Sequence, residues 1–217
     1  MTTLQGAVVL VVGATGGLGS RIADQLERRG AVVVRSSRSG GHDLGAPSVI
    51  QEVLDATIAQ HGRLDGLVVA SGVVAFGAAS ELEPATVDEL FAVNTTSAIQ
   101  LIAQSHASLA SSARDGREPF VVTLSGVVAE TPVAGLAAYS ASKAGLAAFV
   151  VAAAREYRRA GIRILDARPG HTGTALSEHP IAGSAPRFGA ALDPDLVAAR
   201  IITAIVDGEK DLPSTAF

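Results

Sequence analysis

A tyrosine and a lysine four residues apart, Tyr139 and Lys143, are the side chains of this sequence best suited to chemistry. They lie in an apolar run that predicts a helix over residues 137–159, where positions i and i+4 share one face. A free tyrosine titrates near pH ~10, and an ammonium one turn away favours the phenolate and lowers that pKa. Such a tyrosine can exchange a proton with a substrate oxygen. Taken alone, the pattern is weak and is better explained by a packed tyrosine beside an exposed lysine; it becomes strong only if a nucleotide site precedes it and a polar partner follows the strand just upstream.

Apolar strands and helical periods alternate along the chain. Strands are predicted at 7–12, 32–35, 64–70, 120–124 and 163–166, and helices at 17–29, 49–61, 86–109, 137–159 and 194–207. Continuous apolar strands between helices predict an α/β fold with a parallel sheet covered on both faces. Pro213 limits the pairing of any C-terminal edge strand. The segment 177–191, which precedes the last helix, is either a lid over a pocket or a plain connector.

Composition narrows the class of protein. The 217 residues suit one domain, and with 48% hydrophobic but only 4% aromatic residues its core must be built from small aliphatic side chains. A net charge of −4 with scattered basic residues argues against a nucleic-acid surface. The absence of cysteine excludes disulfides and thiol nucleophiles, and the histidines show no metal-site spacing. Without a signal-peptide pattern, and with a longest apolar helical run (144–154) below the ~20 residues of a membrane span, we expect a soluble cytoplasmic protein.

A glycine-rich turn joins the first strand to the first helix. Its glycines, Gly13, Gly17 and Gly19, follow the spacing G-x-x-x-G-x-G. Glycine is needed where the backbone turns tightly and where a phosphate approaches too closely for a Cβ, and a helix N-terminus favours an anion. The turn therefore predicts a nucleotide pyrophosphate site, although glycines also gather at such turns for packing alone.

Taken in order, these motifs resemble the short-chain dehydrogenase/reductase family over nearly the whole chain. The resemblance rests on the glycine turn, Asn94, the strand end Val-Val-Thr-Leu-Ser125, Tyr139-Ser-Ala-Ser-Lys143 and Pro169-Gly170. It implies a single catalytic domain with a doubly wound, Rossmann-type three-layer sheet. It also implies a nicotinamide cofactor whose C4 exchanges a hydride with a carbonyl or alcohol carbon.

The resemblance assigns a role to each matching residue. Tyr139 would be the acid/base, Lys143 would hold the nicotinamide ribose and lower the pKa of Tyr139, and Asn94 would position a water next to Lys143. The loop after the fifth strand would meet the nicotinamide carboxamide. The full set of implied cofactor contacts is Gly13, Thr15, Gly16, Gly17, Leu18, Gly19, Ser37, Arg38, Asp43, Leu44, Ala70, Ser71, Gly72, Asn94, Tyr139, Lys143, Pro169, Gly170, Thr172 and Thr174.

The catalytic serine of the family is the most serious departure, because Gly126 stands at its position. Ser125 is one residue earlier, and one step along an extended strand reverses the side-chain direction. Gly126 could nevertheless let the chain turn and bring Ser125 inward. The role falls to Ser125, or to another polar group such as Thr131 or His171, or the protein binds its cofactor and turns over slowly or not at all. Smaller departures are Val12 for a threonine and Val69-Ala70-Ser71-Gly72 for Asn-Asn-Ala-Gly.

The end of the second strand predicts the choice of cofactor. An acid there would accept a hydrogen bond from the 2′-hydroxyl of NAD and repel a 2′-phosphate, but this chain has Ser37 and Arg38. A guanidinium grips a phosphate with paired N–H bonds, which predicts NADP(H). The alternative is that Arg38 is a solvated loop arginine.

The remaining expectations concern partners and a second function. Apolar residues in 127–133 and in the segment 177–191 predict a neutral, fairly hydrophobic carbonyl or alcohol substrate. By the resemblance, the helices 86–109 and 137–159 would form a homodimer, or one interface of a homotetramer. The alternative function is a nucleotide-binding sensor or partner subunit that has lost catalysis; Gly126 favours it, whereas Tyr139 and Lys143 favour the enzyme.

Overall fold

A single parallel sheet with helices on both faces organises the protein. The computed structural model describes residues 1–42 and 47–217, and in that part the strand order is β2-β1-β3-β4-β5-β6. The strands are β1 Val8–Val12, β2 Val32–Ser36, β3 Gly66–Val69, β4 Phe120–Leu124, β5 Arg163–Ala167 and β6 Asp211–Leu212. The helices are α1 Gly17–Arg28, α2 Pro47–His61, α3 Pro84–Phe91, α4 Ser97–Arg114, α5 Ala137–Tyr157 and α6 Pro194–Asp207. The predicted α/β fold with a doubly wound parallel sheet is confirmed.

Strand β1 is apolar and buried at every position because both faces of the sheet are covered there. Successive side chains of β1 point to opposite faces. Val9 and Val11 belong to the core that α1 and α6 share, whereas Leu10 and Val12 belong to the core beneath α2, α4 and α5. Burial on both faces is what the uninterrupted apolar runs of the sequence predict.

The order of the strands reverses at β1. Strand β2 pairs with one edge of β1 and β3 pairs with the other, both in parallel. The carboxyl ends of the strands at such a reversal border a crevice where open α/β sheets bind ligands. The glycine turn follows β1, and the segment Ala70-Ser71-Gly72 follows β3, so both predicted nucleotide motifs lie at this crevice.

The predicted helix 86–109 is wrong in one respect. A π-helical turn, Ala92–Thr96, separates α3 from α4, and it carries Asn94. Because a π turn inserts only one residue into a helix, the apolar pattern on either side stays helical and the sequence does not reveal the interruption. Such turns are frequent at functional sites, and here the turn buries Asn94 to 1% exposure.

Helix α5 is longer than the apolar run 144–154 noted in the sequence. Within the segment Ala137–Ala160, an apolar window of 18 residues has a mean hydropathy of 1.3, which by length and composition alone would be enough to cross a membrane. One side of the helix, including Leu146 and Val150, belongs to the core against the sheet. Only 33% of the apolar window is buried, and Val151 on the opposite side is 58% exposed. Core helices of soluble domains meet the same criteria, so the segment is weak evidence for a membrane span.

Candidate active site

The first turns of α5 place Tyr139 and Lys143 against the end of β4. The Lys143 ammonium lies 6.0 Å from the centre of the Tyr139 ring. Lys143 is only 6% exposed, and its Nζ donates a hydrogen bond of 2.9 Å to the carbonyl of Leu124, the last residue of β4. The predicted i, i+4 pair therefore exists, and the lysine also ties the helix to the strand end.

Asn94 supports the same cluster from the π turn. Its Oδ1 accepts from the N–H of Val73 and its Nδ2 donates to the carbonyl of Val73, both at 2.9 Å. Nδ2 also donates to the hydroxyl of Ser142 on α5 at 3.1 Å. A Cβ added to Gly72 would lie 3.2 Å from both Asn94 Oδ1 and Lys143 Nζ. The glycine therefore leaves the space in which the asparagine and the lysine meet.

Burial sets the protonation of the pair. It raises the pKa of Tyr139 to about 12, so desolvation is the larger influence on the phenol, and the lowering of this pKa by Lys143 stays a prediction. Burial also lowers the pKa of Lys143 to about 8, with the negative charge of Asp166 opposing the shift. Lys143 is itself desolvated, and its ammonium lies 6.0 Å from the centre of the Tyr139 ring. Its effect on the pKa of the phenol therefore does not outweigh the effect of desolvation.

The cluster has hydrogen-bonding capacity left over. The Tyr139 hydroxyl has no hydrogen-bond partner among the residues that the structure describes. An ammonium has three N–H donors, and one of those of Lys143 goes to Leu124. Tyr139 and Lys143 can therefore bind groups that the protein itself does not supply.

The glycine turn fits a nucleotide. Gly13 has φ +81°, and a Cβ there would lie 2.5 Å from the backbone nitrogen of Ser71, so the turn packs directly on the end of β3. No side chain caps the N-terminus of α1 at Gly16, which leaves its first N–H groups for an anion. The Ser71 hydroxyl is buried without a partner in the described part of the chain. The predicted residues Thr15, Leu18 and Gly19 belong to the same turn.

The loop after β5 lies across this turn. A Cβ added to Gly17 would fall 2.5 Å from the Thr174 side chain, so Thr174 packs against the glycine turn; its predicted contact with the nicotinamide carboxamide stays a prediction. The Thr172 hydroxyl instead donates to the carbonyl of Gly170 at 3.0 Å and stays within the loop. The carbonyl of Pro169 accepts from the N–H of Val127 at 2.9 Å, which joins this loop to the segment after β4.

The end of β2 carries the residues predicted to select the cofactor. The Ser37 hydroxyl accepts from the N–H of Gly40 at 3.3 Å and caps the short turn Arg38–Gly40. Arg38 is exposed and forms no ion pair with any residue that the structure describes. The predicted adenine contacts Asp43 and Leu44 lie outside the described residues.

Ser125 is engaged inside the protein, which argues against the first of the three interpretations of the sequence, direct substitution, without testing it. It is fully buried, and its Oγ donates to Asp166 Oδ2 on the neighbouring strand at 2.5 Å. Gly126 has φ +72° and ψ 165°, a conformation open essentially to glycine alone, and it redirects the chain only after Ser125. Of the alternative groups, Thr131 is exposed and His171 lies in the loop after β5.

A buried carboxylate that the sequence analysis missed explains the position of Ser125. Asp166 on β5 is 3% exposed and accepts from Thr123 at 2.7 Å, from Ser125, and from Arg168 Nη1 at 3.0 Å. Arg168 also pairs with Glu130 and Asp211. The signal in the sequence is an acid inside the apolar strand Arg163–Ala167, since buried acids need partners.

The segment 177–191 is attached to the site at two points. Ala182 forms a bridge with Ala75, and the N–H of Ile181 donates to the carbonyl of Val74 at 2.8 Å. Further along, Phe188 stacks on His171 with ring centres 4.3 Å apart and lies 6.0 Å from the ring of Phe76. Phe76 and Tyr139 share one apolar cluster, so the segment covers the region beside the tyrosine.

The chain is similar in sequence to known proteins over most of its length. A family model described as short chain dehydrogenase matches residues 41–181, more than half of the chain. The chain is 33% identical over 185 residues to the cyclic-di-GMP-binding biofilm dispersal mediator protein of Escherichia coli, across 78% of this chain and 75% of that protein. It is 30% identical over 202 residues to the 3-oxoacyl-(acyl-carrier-protein) reductase of Salmonella typhimurium, across 83% and 81% of the two chains.

Solved structures show the same fold. The 3-ketoacyl-(acyl-carrier-protein) reductase of Brucella melitensis, complexed with NADH, superposes with a TM-score of 0.88 at 22% identity, covering 97% of each chain. A short chain dehydrogenase/reductase of Burkholderia phymatum, in complex with NAD, gives a TM-score of 0.85 at 17% identity, covering 98% of this chain and 90% of that one. At these identities the likeness establishes a Rossmann-like architecture and no finer property.

Proposed function

This chain belongs to the short-chain dehydrogenase/reductase family and is an oxidoreductase acting on CH–OH or C=O groups with NAD(P), and we propose that it is an NADP(H)-dependent carbonyl reductase or alcohol dehydrogenase. One observation carries the proposal. Tyr139 and Lys143 lie together at the carboxyl edge of the sheet, held by buried contacts yet with donors and acceptors left over. Asn94, anchored on Val73, completes the cluster.

Tyr139 is the proton donor of the proposed reduction. With a pKa raised to about 12 by burial, its hydroxyl is protonated at neutral pH and can donate to a carbonyl oxygen. Lys143, still largely charged at neutral pH, stabilises the phenolate that is left and offers its free N–H groups to ribose hydroxyls. The cofactor, when bound, supplies the hydride. Ser71 and the glycine turn would hold its phosphate and ribose groups.

The test of Tyr139 has a matched control on the same helix. We expect Tyr139→Phe to lower kcat/KM by about 10²–10⁴-fold, because it removes the proton donor, while the Kd for NADPH stays unchanged. The protein has one other tyrosine, Tyr157, whose hydroxyl donates to the carbonyl of Ile102 in the core. Tyr157→Phe should reduce stability and leave kcat/KM nearly unchanged. Equal turnover in wild type and Tyr139→Phe would refute the assignment.

Arg38 supports NADP(H) over NAD(H). Arg38 is exposed at the end of β2 beside Ser37, where the predicted 2′-phosphate would lie. Strand β2 contains no acidic residue that would repel this phosphate. Arg35 is the matched control, because it pairs with Glu27 and Asp24 on α1. We expect the wild type to bind NADPH more tightly than NADH, Arg38→Ala to remove that preference, and Arg35→Ala to keep it. Tighter binding of NADH by the wild type would contradict the proposal.

The substrate is proposed to be neutral and fairly hydrophobic, with the segment 177–191 as a lid. The support is the aromatic wall of Phe76, Phe188 and His171 beside Tyr139. A panel of ketones of increasing apolar surface, assayed by NADPH oxidation, tests it. We expect kcat/KM to rise with apolar surface in the wild type and to lose that trend in Phe188→Ala. Preference for charged, polar carbonyls would reject this substrate class.

A nucleotide sensor is the second candidate function. Gly126 at the serine position favours it, as does the 33% identity to a protein named as cyclic-di-GMP-binding. Calorimetric titration with cyclic-di-GMP, with and without saturating NADPH, separates the candidates. Tight, NADPH-competitive binding together with no turnover on the ketone panel would favour the sensor, whereas turnover that depends on Tyr139 favours the enzyme.

We also propose a homodimer through α4 and α5. The support is the exposed apolar side of α5, where Val151 is 58% exposed and the small residues Ala141, Ala148 and Ala152 permit close helix packing. Light scattering after size exclusion should give twice the chain mass for the wild type and the mass of one chain for Val151→Glu. A monomeric wild type would refute the dimer.

A further inference from the structure

Asp166 holds the strand end to which Lys143 is attached. Its two carboxylate oxygens accept from Thr123 at 2.7 Å and from Ser125 at 2.5 Å. These donors stand on either side of Leu124, and the carbonyl of Leu124 is the acceptor for Lys143 Nζ at 2.9 Å. The carboxylate therefore fixes both neighbours of the residue that positions the lysine.

The charge of Asp166 is only partly neutralised by its arginine. Arg168 is the ion-pair partner of Asp166, Glu130 and Asp211, so three carboxylates share one guanidinium. The side chain of Asp166 is 4% exposed, against 29% for Glu130 and 63% for Asp211, so water screens the other two far better. A buried carboxylate that shares its partner retains a field on any neighbouring cation.

Lys143 is the buried cation in reach of that field. It is 6% exposed, and Asp166 acts on it as the opposing charge to desolvation. The other groups around it are Tyr139 on its own helix, which is neutral at ordinary pH, and Asn94, which has no charge. Glu156 lies at the far end of α5.

We propose that Asp166 is a positioning residue for Lys143, fixing the β4 end that holds the lysine and supplying the negative charge that keeps its buried ammonium protonated. The kinetic importance of this role rests on the proposed function, but the state of the lysine can be measured without a substrate. The inference also explains why Ser125 is unavailable: its hydroxyl is one of the two that secure the carboxylate.

The composition of the chain makes a direct measurement simple. It has two lysines, the buried Lys143 and the exposed Lys210, so protein labelled with ¹³C,¹⁵N-lysine gives two side-chain signals, one of which is an internal reference. In the full-length wild type we expect Lys143 to titrate near pH 8, following its lowered pKa. In Asp166→Asn the midpoint should fall by about one pH unit, because the opposing charge is lost.

Asp211→Asn is the matched control. It removes another carboxylate from the same guanidinium, at a more exposed position, and should leave the Lys143 midpoint in place. An unchanged midpoint in Asp166→Asn, or an equal fall in both variants, would overturn the inference. Arg168→Met provides a second variant if Asp166→Asn does not fold: without the shared guanidinium the Lys143 midpoint should rise, and a fall would overturn the inference.

The NMR titration tests the positioning role of Asp166, and the enzyme assay tests the proposed chemistry, so either claim can be refuted without the other. If the midpoint falls in Asp166→Asn but Tyr139→Phe keeps full turnover, the positioning role stands and the proposed chemistry is wrong. If the proposed chemistry holds, the pH profile of kcat/KM in Asp166→Asn should shift toward lower pH together with the NMR midpoint. A loss of activity at every pH without a shift would mark Asp166 as merely structural.

Discussion

Two buried polar clusters meet at the carboxyl edge of the sheet, and they use their hydrogen bonds differently. The first cluster is formed by Tyr139, Lys143 and Asn94. Among the described residues, its contacts leave the tyrosine hydroxyl and part of the lysine ammonium without a partner, so both can bind a ligand. The second cluster lies at the end of β4, where the hydroxyl of Ser125 donates to the carboxylate of Asp166. Arg168 donates to the same carboxylate. The first cluster is equipped to bind, and the second holds itself together.

The difference between the clusters shows that a residue on a neighbouring strand can determine whether a hydroxyl is free to bind a ligand. Ser125 follows a strand end in the same way as a serine that contacts substrate, but Asp166 on β5 captures it. A carboxylate buried among apolar residues binds any donor within reach, because an unpaired buried charge is very costly. The function of a hydroxyl therefore depends on the residue opposite, one strand away, as much as on its own position.

The largest effect is expected from breaking the first cluster at Asn94. In Asn94→Ala, both the N–H and the carbonyl of Val73 lose their partners inside the protein. We expect the free energy of unfolding to fall by roughly 2–4 kcal/mol, since each unsatisfied group costs ~1–3 kcal/mol. Urea unfolding measures it. Ser142→Ala, which removes one hydrogen bond from the same asparagine, should cost less; a larger loss in that control would contradict the account.

The second cluster can be tested by restoring the serine of the family. Gly126→Ser places a side chain at φ +72° and ψ 165°, which we expect to lower the free energy of unfolding by about 1–3 kcal/mol. Gly126→Ala is the control with the same backbone cost. Because the backbone, rather than the missing hydroxyl, defines this position, kcat/KM should be the same in both variants. A serine variant more than about tenfold faster than the alanine variant, or ~1.4 kcal/mol in the barrier, would show that a serine can still act here.

The sequence predicts the elements of the fold and the first cluster well. Strand positions and the cover of both faces follow from uninterrupted apolar runs such as Val8–Val12. The pairing of Tyr139 with Lys143 follows from helical spacing, and it is present in the structure. These features depend on local sequence, which is why they can be read along the chain.

The second cluster could not be predicted in this way. Ser125 and Asp166 are brought together only by the pairing of β4 with β5, 41 residues apart in sequence. The environment of Tyr139 is not visible in the sequence either, because spacing reveals the lysine but not the desolvation that raises the pKa of the phenol to about 12. The π turn that carries Asn94 is invisible to an apolar pattern that stays helical on both sides.

Lys143 gives the first cluster a measurable pH dependence. Burial lowers its folded-state pKa to about 8, whereas the unfolded chain titrates near ~10.4, so the folded state binds fewer protons between these values. Stability must therefore rise with pH across that window. From about pH 7 to about pH 9.5 the wild type without ligand should gain roughly 1–2 kcal/mol relative to Lys143→Met. Tyr139 is present in both proteins, so its own pH dependence cancels in this comparison. An equal change in the two proteins, measured by urea unfolding at both pH values, would contradict the buried charge.

The smallest effect is expected from Ser125→Ala, and it is the change that separates the two clusters most clearly. Asp166 Oδ2 loses the serine donor but keeps Arg168, so the free energy of unfolding should fall by only about 1 kcal/mol. Thr123→Val is the companion variant and should lower the free energy of unfolding by more, because Asp166 Oδ1 has no second donor among the described residues. Since neither hydroxyl is free to reach a substrate, kcat/KM in both variants should stay within a small factor of wild type, against about 10²–10⁴-fold for Tyr139→Phe. If Ser125→Ala alone lost as much turnover as the tyrosine variant, Ser125 would have to leave Asp166 during catalysis, and the division between a binding cluster and a structural one would fail.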